Sequence, residues 1–244
     1  MLTVIGIGPG KKDGMTIEAY QALERSECIV GYTVYVEQVR ELFPDKQYYT
    51  TPMTKEVERC EWAITQAGMG REIAMVCSGD SGVYGMAGLI CELADDTLEL
   101  EILPGVTAAC SGASVLGAPL THDFAVISLS DRLTPWDQIK RRLRAVVMGD
   151  FVICLYNPAS KGRPDYLQKA CDILLEEGID GDRVCGVVHN IGREGQRAQI
   201  MTLAKLRDYR ADMFTTVYIG NAMTKEYNGR MVTPRGYREV YEKK

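Results

Sequence analysis

The chain has 244 residues, 28 Lys and Arg against 33 Asp and Glu for a net charge of −5, and two histidines, His122 and His189. A chain of this size can bury a core without metal or disulfide staples. Its acidic balance excludes a protein whose main task is coating nucleic acid or an anionic membrane, and two histidines exclude a histidine-rich metal centre.

Residues 2–7 form a continuous apolar run that ends in Gly6-Ile7-Gly8-Pro9-Gly10, the pattern of a strand buried on both faces followed by a tight loop. Thr16 is placed to cap the next helix, with Ile17, Ala19, Tyr20 and Leu23 at helical spacing. Strands are then predicted at 28–30, 46–50, 72–77 and 98–103, alternating with helices at 33–42, 55–67, 83–93 and 106–116. The alternation predicts an α/β fold with parallel strands. At Gly117-Ala118-Pro119 the helical pattern stops, which predicts a first domain over 1–118 and a second over 119–244. The second begins with a strand at 124–129 and a helix at 135–147, capped by Thr134 with Pro135 in its first position. Trp136, Ile139, Leu143, Val146 and Val147 form the buried stripe of that helix, leaving Lys140, Arg141, Arg142 and Arg144 to solvent. A strand at 151–155, a helix at 164–175 and a strand at 183–188 follow. Strands at 198–203 and 214–219, joined by a short helix, predict a mixed, partly antiparallel sheet.

The eight cysteines (Cys28, Cys60, Cys77, Cys91, Cys110, Cys154, Cys171 and Cys185) contain no C-x-x-C pair, so no protein-bound metal is expected. Several lie in apolar runs, as small buried thiols do, and reduced thiols in the cytoplasm are the expectation. The N-terminal residues lack a charged region followed by a long apolar one, and no apolar run approaches membrane-spanning length. The expectation is a protein neither exported nor spanning a membrane.

Three glycine-rich loops follow predicted strands, where ligands of open α/β sheets bind. In the first, Gly8 and Gly10 let a bulky ligand approach the backbone, but Lys11 stands where the dinucleotide fingerprint needs a small residue. In the second, Ser78-Gly79-Asp80-Ser81-Gly82-Val83-Tyr84-Gly85, Asp80 is either a polar anchor for a ligand or a cap for the next helix. The third, Leu103-Pro104-Gly105-Val106-Thr107-Ala108, presents backbone N–H groups and a threonine hydroxyl at a helix start.

Gly8-Pro9-Gly10, the Ser-Gly-Asp loop with Val83 and Gly85, and Pro104-Gly105-Val106-Thr107-Ala108, in this order and spacing, resemble the tetrapyrrole methylase family along essentially the whole chain. The resemblance implies two α/β domains with the active site in the cleft between them and S-adenosylmethionine as methyl donor. Residues 121–132, Leu155-Tyr156-Asn157-Pro158 and His189-Asn190-Ile191-Gly192-Arg193 are similar to the branch that methylates precorrin-3B at C-17 in cobalamin biosynthesis. That branch contracts the macrocycle by extruding a meso carbon; whether the substrate already holds cobalt stays open. Carried over by residue, the resemblance implies a donor site lined by Pro9, Gly79, Asp80, Val83, Thr107, Ala108, Tyr156, Asn190 and Ile191, with Thr215 and Thr216 as further candidates. In relatives that methylate uroporphyrinogen, the segment matching Val30-Gly31-Tyr32-Thr33 carries a catalytic aspartate that this chain lacks, which points away from that branch.

Methyl transfer from a sulfonium needs in-line placement more than a nucleophilic side chain, whereas ring contraction needs proton handling. Ser130, Asp131 and His122 are the candidates for it, with turn residues and a core histidine as the plainer alternatives. A macrocycle with many carboxylates calls for arginines, and Arg132, Arg163, Arg193 and Arg197 lie in predicted loops or strand ends, so Arg132, Arg163 and Arg193 join Gly8 and Gly10 as substrate candidates. The expected partner is the tetrapyrrole alone, with no nucleic acid or membrane, and the family implies a homodimer. Two other readings stay open: another methylase of the fold, acting at a different precorrin position, on rRNA ribose or in diphthamide synthesis, and a non-catalytic S-adenosylmethionine sensor.

Overall fold

The computed structural model describes residues 1–237 and 241. Its contacts divide the chain into two compact units, Met1–Ser111 and Gly112–Lys244.

The first unit alternates strand and helix: β1 (Leu2–Gly6), α1 (Ile17–Arg25), β2 (Cys28–Tyr32), α2 (Thr33–Arg40), β3 (Gln47–Thr51), α3 (Glu56–Gly68), β4 (Ile73–Cys77), α4 (Ala87–Leu93) and β5 (Leu100–Leu103). Its sheet is wholly parallel, in the order β3-β2-β4-β1-β5. The apolar runs of β1 and β4 are explained by this placement, because inner strands of a parallel sheet bury both faces. Leu2 and Val4 pack on one face with Cys60 and Ala63 of α3, and Ile5 packs on the other with Ala19 and Leu23 of α1. Thr16 caps α1 as expected, accepting a hydrogen bond from the Ala19 N–H at 3.0 Å.

Helix α5 (Ala108–Leu116) carries the division between units, which falls inside it at Ser111 and Gly112 rather than at the 118–119 junction read from the sequence. Packing explains why. Leu116 fills the space beside Gly186, where a Cβ would lie 2.6 Å from a leucine methyl, and Gly112 leaves room for the Tyr218 ring. The end of the helix therefore belongs to the second sheet.

The second unit continues with β6 (Gly117–Ala118), β7 (Phe124–Ser128), α6 (Trp136–Met148), β8 (Val152–Tyr156), α7 (Tyr166–Glu176), β9 (Val184–His189), β10 (Arg197–Thr202), α8 (Leu203–Arg207), β11 (Thr215–Ile219), β12 (Lys225–Tyr227) and β13 (Arg230–Val232). Its main sheet runs β10-β9-β11-β8-β7 and is mixed: β7 and β8 are parallel, while β11 is antiparallel to both β8 and β9. Ile139 and Leu143 of α6 and Leu167 and Leu174 of α7 pack against Ile127, Ile153 and Val217. Arg144 is turned outward to Glu177 and Lys140 to Asp137, as the amphipathic pattern of α6 requires.

Three local expectations are corrected. Helix α4 starts at Ala87, because 82–86 is spent on bends and Tyr84 takes a positive φ of 56°. Helix α6 starts at Trp136 with Pro135 as its cap, where no side chain bonds the helix end. A small sheet in the order β12-β13-β6 was not expected at all. Asn228 and Gly229, with φ of 50° and 73°, form its turn, and an Asn-Gly pair is the strongest short-range hairpin signal.

All eight cysteines are free, and only Cys91 and Cys110 are exposed. Burial pushes the Cys77 and Cys171 thiols up to about 12, so both stay protonated at neutral pH. Among the described residues no helix is long and apolar enough to cross a membrane, and no group of three His, Cys, Asp or Glu could hold a metal ion.

Candidate active site

Because β4, β1 and β5 are parallel neighbours, the loops after them leave one edge of the first sheet together. They are joined backbone to backbone. Gly8 donates to the Gly79 carbonyl at 2.9 Å and Gly79 returns a bond to the Gly8 carbonyl at 2.8 Å. Gly79 has φ of 72°, which a side chain would resist. At Gly105 the limit is space: a Cβ there would lie 2.1 Å from the Gly79 carbonyl oxygen and 2.4 Å from that of Gly6.

Asp80 holds the second and third loops together. Its Oδ1 accepts from the N–H groups of Gly82 and Val83 at 2.8 and 3.0 Å, and its Oδ2 accepts from Gly105 N–H at 3.0 Å. It is thus neither a bare anchor nor a cap of α4, whose first residue lies further on. The buried Ser81 hydroxyl adds a bond to the Leu103 carbonyl at 2.8 Å. Thr107 and Ala108 open α5 beside Gly79, whose added Cβ would meet them at 3.5 Å. Pro9 is half-buried and Val83 exposed, while Gly8 and Gly10 are buried, with Gln38 against Gly10. The loops 6–10, 78–85 and 103–108 contain no Lys or Arg and one carboxylate. With one carboxylate and no cation inside them, the loops place no fixed positive charge against a ligand carrying a positive sulfonium.

In the second unit, parallel β7, β8 and β9 end at the same edge of their sheet where antiparallel β11 begins. This topology gathers Ser130 and Asp131 after β7, Tyr156 and Asn157 at the end of β8, Asn190, Ile191 and Arg193 after β9, and Thr215 and Thr216 at the start of β11. Ser130 and Asp131 are organised by Arg163, whose Nη1 donates to Ser130 Oγ and to Asp131 Oδ1, each at 2.9 Å, and by the Tyr166 hydroxyl, which donates to Asp131 Oδ2 at 2.5 Å. The Tyr166 hydrogen bond, then that of Arg163, outweighs desolvation and holds the Asp131 carboxyl below its ordinary range. The same bond raises Tyr166. Arg163 also donates through Nε to Ser160 Oγ at 3.1 Å, so its Nε and Nη1 are engaged by neighbouring side chains. Arg132 is exposed and has no carboxylate partner among the described residues. Arg193 lies over the Phe214 ring at 5.9 Å.

His122 is not brought to this edge. It precedes β7, whereas Ser130 and Asp131 follow it, and five strand residues separate the two ends by roughly 16 Å. The histidine that does reach the edge is His189, at the end of β9. Its Nε2 lies 3.0 Å from Asp212 Oδ2, and its Nδ1 is buried without a partner. Burial acts to raise the Asp212 carboxyl, but hydrogen bonds from Thr215, His189 and the Phe214 N–H together hold it low. No local pattern in the sequence announces this pair; the Thr215–His189 register of β11 on β9 creates it.

The family described as Tetrapyrrole (Corrin/Porphyrin) Methylases matches residues 1–207. The chain belongs to this family. This tetrapyrrole methylase is 46% identical to the "Probable cobalt-factor III C(17)-methyltransferase" of Salmonella typhimurium, over 97% of this chain and 99% of the relative. It is 39% identical to the "Precorrin-3B C(17)-methyltransferase" of a Sinorhizobium species, over 97% of this chain and 96% of that one. The crystal structure of the methyltransferase CobJ superposes with a TM-score of 0.88 at 37% identity, covering 96% of this chain and 99% of that one. Of some other curated relatives this tetrapyrrole methylase spans about half the length.

Proposed function

We propose that this tetrapyrrole methylase transfers a methyl group from S-adenosylmethionine to C-17 of cobalt-factor III, or of precorrin-3B, with ring contraction in cobalamin biosynthesis. The observation that carries this reading is the 46% identity, over nearly the full length of both chains, to a protein named for that reaction. The lower identity to the relative named for precorrin-3B favours the cobalt-containing substrate.

The donor belongs on the first sheet edge, where Pro9, Gly79, Asp80, Val83, Thr107 and Ala108 shape a site built mostly of backbone. When bound it supplies a methyl group already activated on a sulfonium. The loops then have to hold it rigidly and keep water away, and the bonds from Asp80 and Ser81 give them that rigidity. The family resemblance adds Tyr156, Asn190, Ile191, Thr215 and Thr216 of the second unit as candidate donor residues. Gly8 and Gly10 allow the macrocycle to approach closely, while Arg132 and Arg193 meet its carboxylates. Arg163 acts by fixing Ser130 and Asp131.

Asp131, held ionised by Tyr166 and Arg163, accepts the proton that ring contraction releases, and the Tyr166 hydroxyl keeps its own. The reading carries with it a cytoplasmic location and a homodimer, which sedimentation would measure. Incubating the purified chain with methyl-labelled S-adenosylmethionine and, separately, cobalt-factor III and precorrin-3B tests it. Label on C-17 of a contracted ring is the expected product. Donor binding without label transfer to either tetrapyrrole would refute it.

A further inference from the structure

Arg59, in the first turn of α3, is 4% exposed. The ion-paired arginines of the chain are far more open, and each has a carboxylate within reach, as Arg25 has Glu101 and Arg71 has Glu27. Arg59 has none among the described residues. Of the acidic side chains nearest to it in sequence, Glu58 pairs with Lys55, Glu56 accepts from the Thr54 N–H, and Glu61 is exposed to solvent.

The guanidinium is satisfied along one side only. Nη1 donates to the hydroxyl and the carbonyl of Thr51, at the end of β3. Nη2 has only the Met86 thioether, at 3.9 Å, and Nε is buried without any partner. The Nε–Nη2 edge is one of the two forks on which arginine takes a carboxylate bidentately, and here that edge lacks an oxygen. Burying a cation without its counter-ion is costly, and an anion that completes it recovers the cost. Against Nη2 of that edge lies Met86, a flexible side chain on a residue that donates its backbone N–H to Cys77 Sγ at 3.3 Å and directly follows the Asp80 loop.

We propose that Arg59 is a recognition residue that receives a carboxylate of a bound substrate on its Nε–Nη2 edge when the Met86 side chain swings aside. The inference rests on the methyltransferase reading, in which two ligands offer that chemistry: the macrocycle through its side-chain carboxylates, and the donor through its amino-acid carboxylate.

Calorimetric titration of wild type, Arg59→Met and Arg59→Lys with cobalt-factor III, S-adenosylhomocysteine and decarboxylated S-adenosylhomocysteine separates the cases, with thermal midpoints as the check on folding. Arg59→Met fills the space without a charge and is expected to melt at or above the wild-type midpoint. Arg59→Lys keeps the charge but offers a point donor instead of a fork, and serves if the first variant does not fold. A loss of tenfold or more for cobalt-factor III, with S-adenosylhomocysteine unchanged, assigns the site to the macrocycle. The same loss for S-adenosylhomocysteine, absent with its decarboxylated form, assigns it to the donor. Affinities within twofold of wild type for every ligand, in a folded variant, would overturn the inference and leave Arg59 a packed core residue. A wild-type chain that binds neither cobalt-factor III nor S-adenosylhomocysteine would overturn the methyltransferase reading itself, and this one with it.

Discussion

The two sheet edges are built by opposite means. At the first, the loops after β1, β4 and β5 meet through backbone atoms, with Asp80 as the one carboxylate and no cation in the loops. At the second, the work falls to side chains: Arg163, Asp131 and Tyr166 form one cluster, and His189, Asp212 and Thr215 another. A backbone cradle recognises shape and tolerates no added atom, whereas a side-chain cluster is sensitive to charge and pH and survives isosteric change.

The largest expected effect lies at the first edge. Gly105→Ala places a methyl group on two carbonyl oxygens of neighbouring loops. It should destabilise the chain by about 3 kcal/mol, measured by urea unfolding, because backbone cannot step aside as a side-chain tip can. An unchanged midpoint would break the picture of a cradle without slack.

Asp131→Asn keeps the shape of the second edge and removes its charge. It should lower kcat on the order of 10²-fold with little change in donor affinity. The pH dependence has a defined sign. Asp131 titrates below its unfolded value in the folded chain, so its stabilisation is present above about pH 4 and is lost as pH falls through the folded value. The gap in melting temperature between wild type and variant should therefore close on acidification; a constant gap would show that the charge is not what the cluster holds.

Asp80→Ala removes three charge-assisted bonds from a half-exposed loop and should weaken S-adenosylhomocysteine binding about 30-fold, or about 2 kcal/mol, with the melting temperature falling only modestly. Calorimetry would record it, and equal affinity would reduce Asp80 to a local turn residue. Arg132→Ala is the mildest. An exposed arginine meeting a solvated carboxylate should cost about fivefold in tetrapyrrole affinity and nothing in donor affinity. Parallel loss of both would remove Arg132 from the substrate side.

Most of the fold was legible because its strands are long apolar runs and its helices strongly periodic. The main strands and helices of both units appear within a few residues of where patterns of two and 3.6 residues place them. The small sheet was not, since β12 and β13 are short and polar, and only Asn228-Gly229 marks their turn. The site was legible where the signal is conformational: glycines and strand ends announce the three loops. It was illegible where function depends on partners far apart in sequence. Asp131 meets Tyr166 and Arg163, His189 meets Asp212, and Arg59 loses its solvent, all through sheet register and helix packing. His122 shows the same limit in reverse. It is near Ser130 in the sequence, yet an extended strand puts it at the other end.

The central claim is that the donor is held by the backbone loops of the first unit. Titrating S-adenosylhomocysteine into the nitrogen-15-labelled chain and following the amide resonances tests this directly. The account predicts that the largest shifts fall on Gly8, Gly79, Gly105 and Ala108, and that Asp80→Ala abolishes them at the same ligand concentration. Binding that leaves those amides unmoved would contradict it.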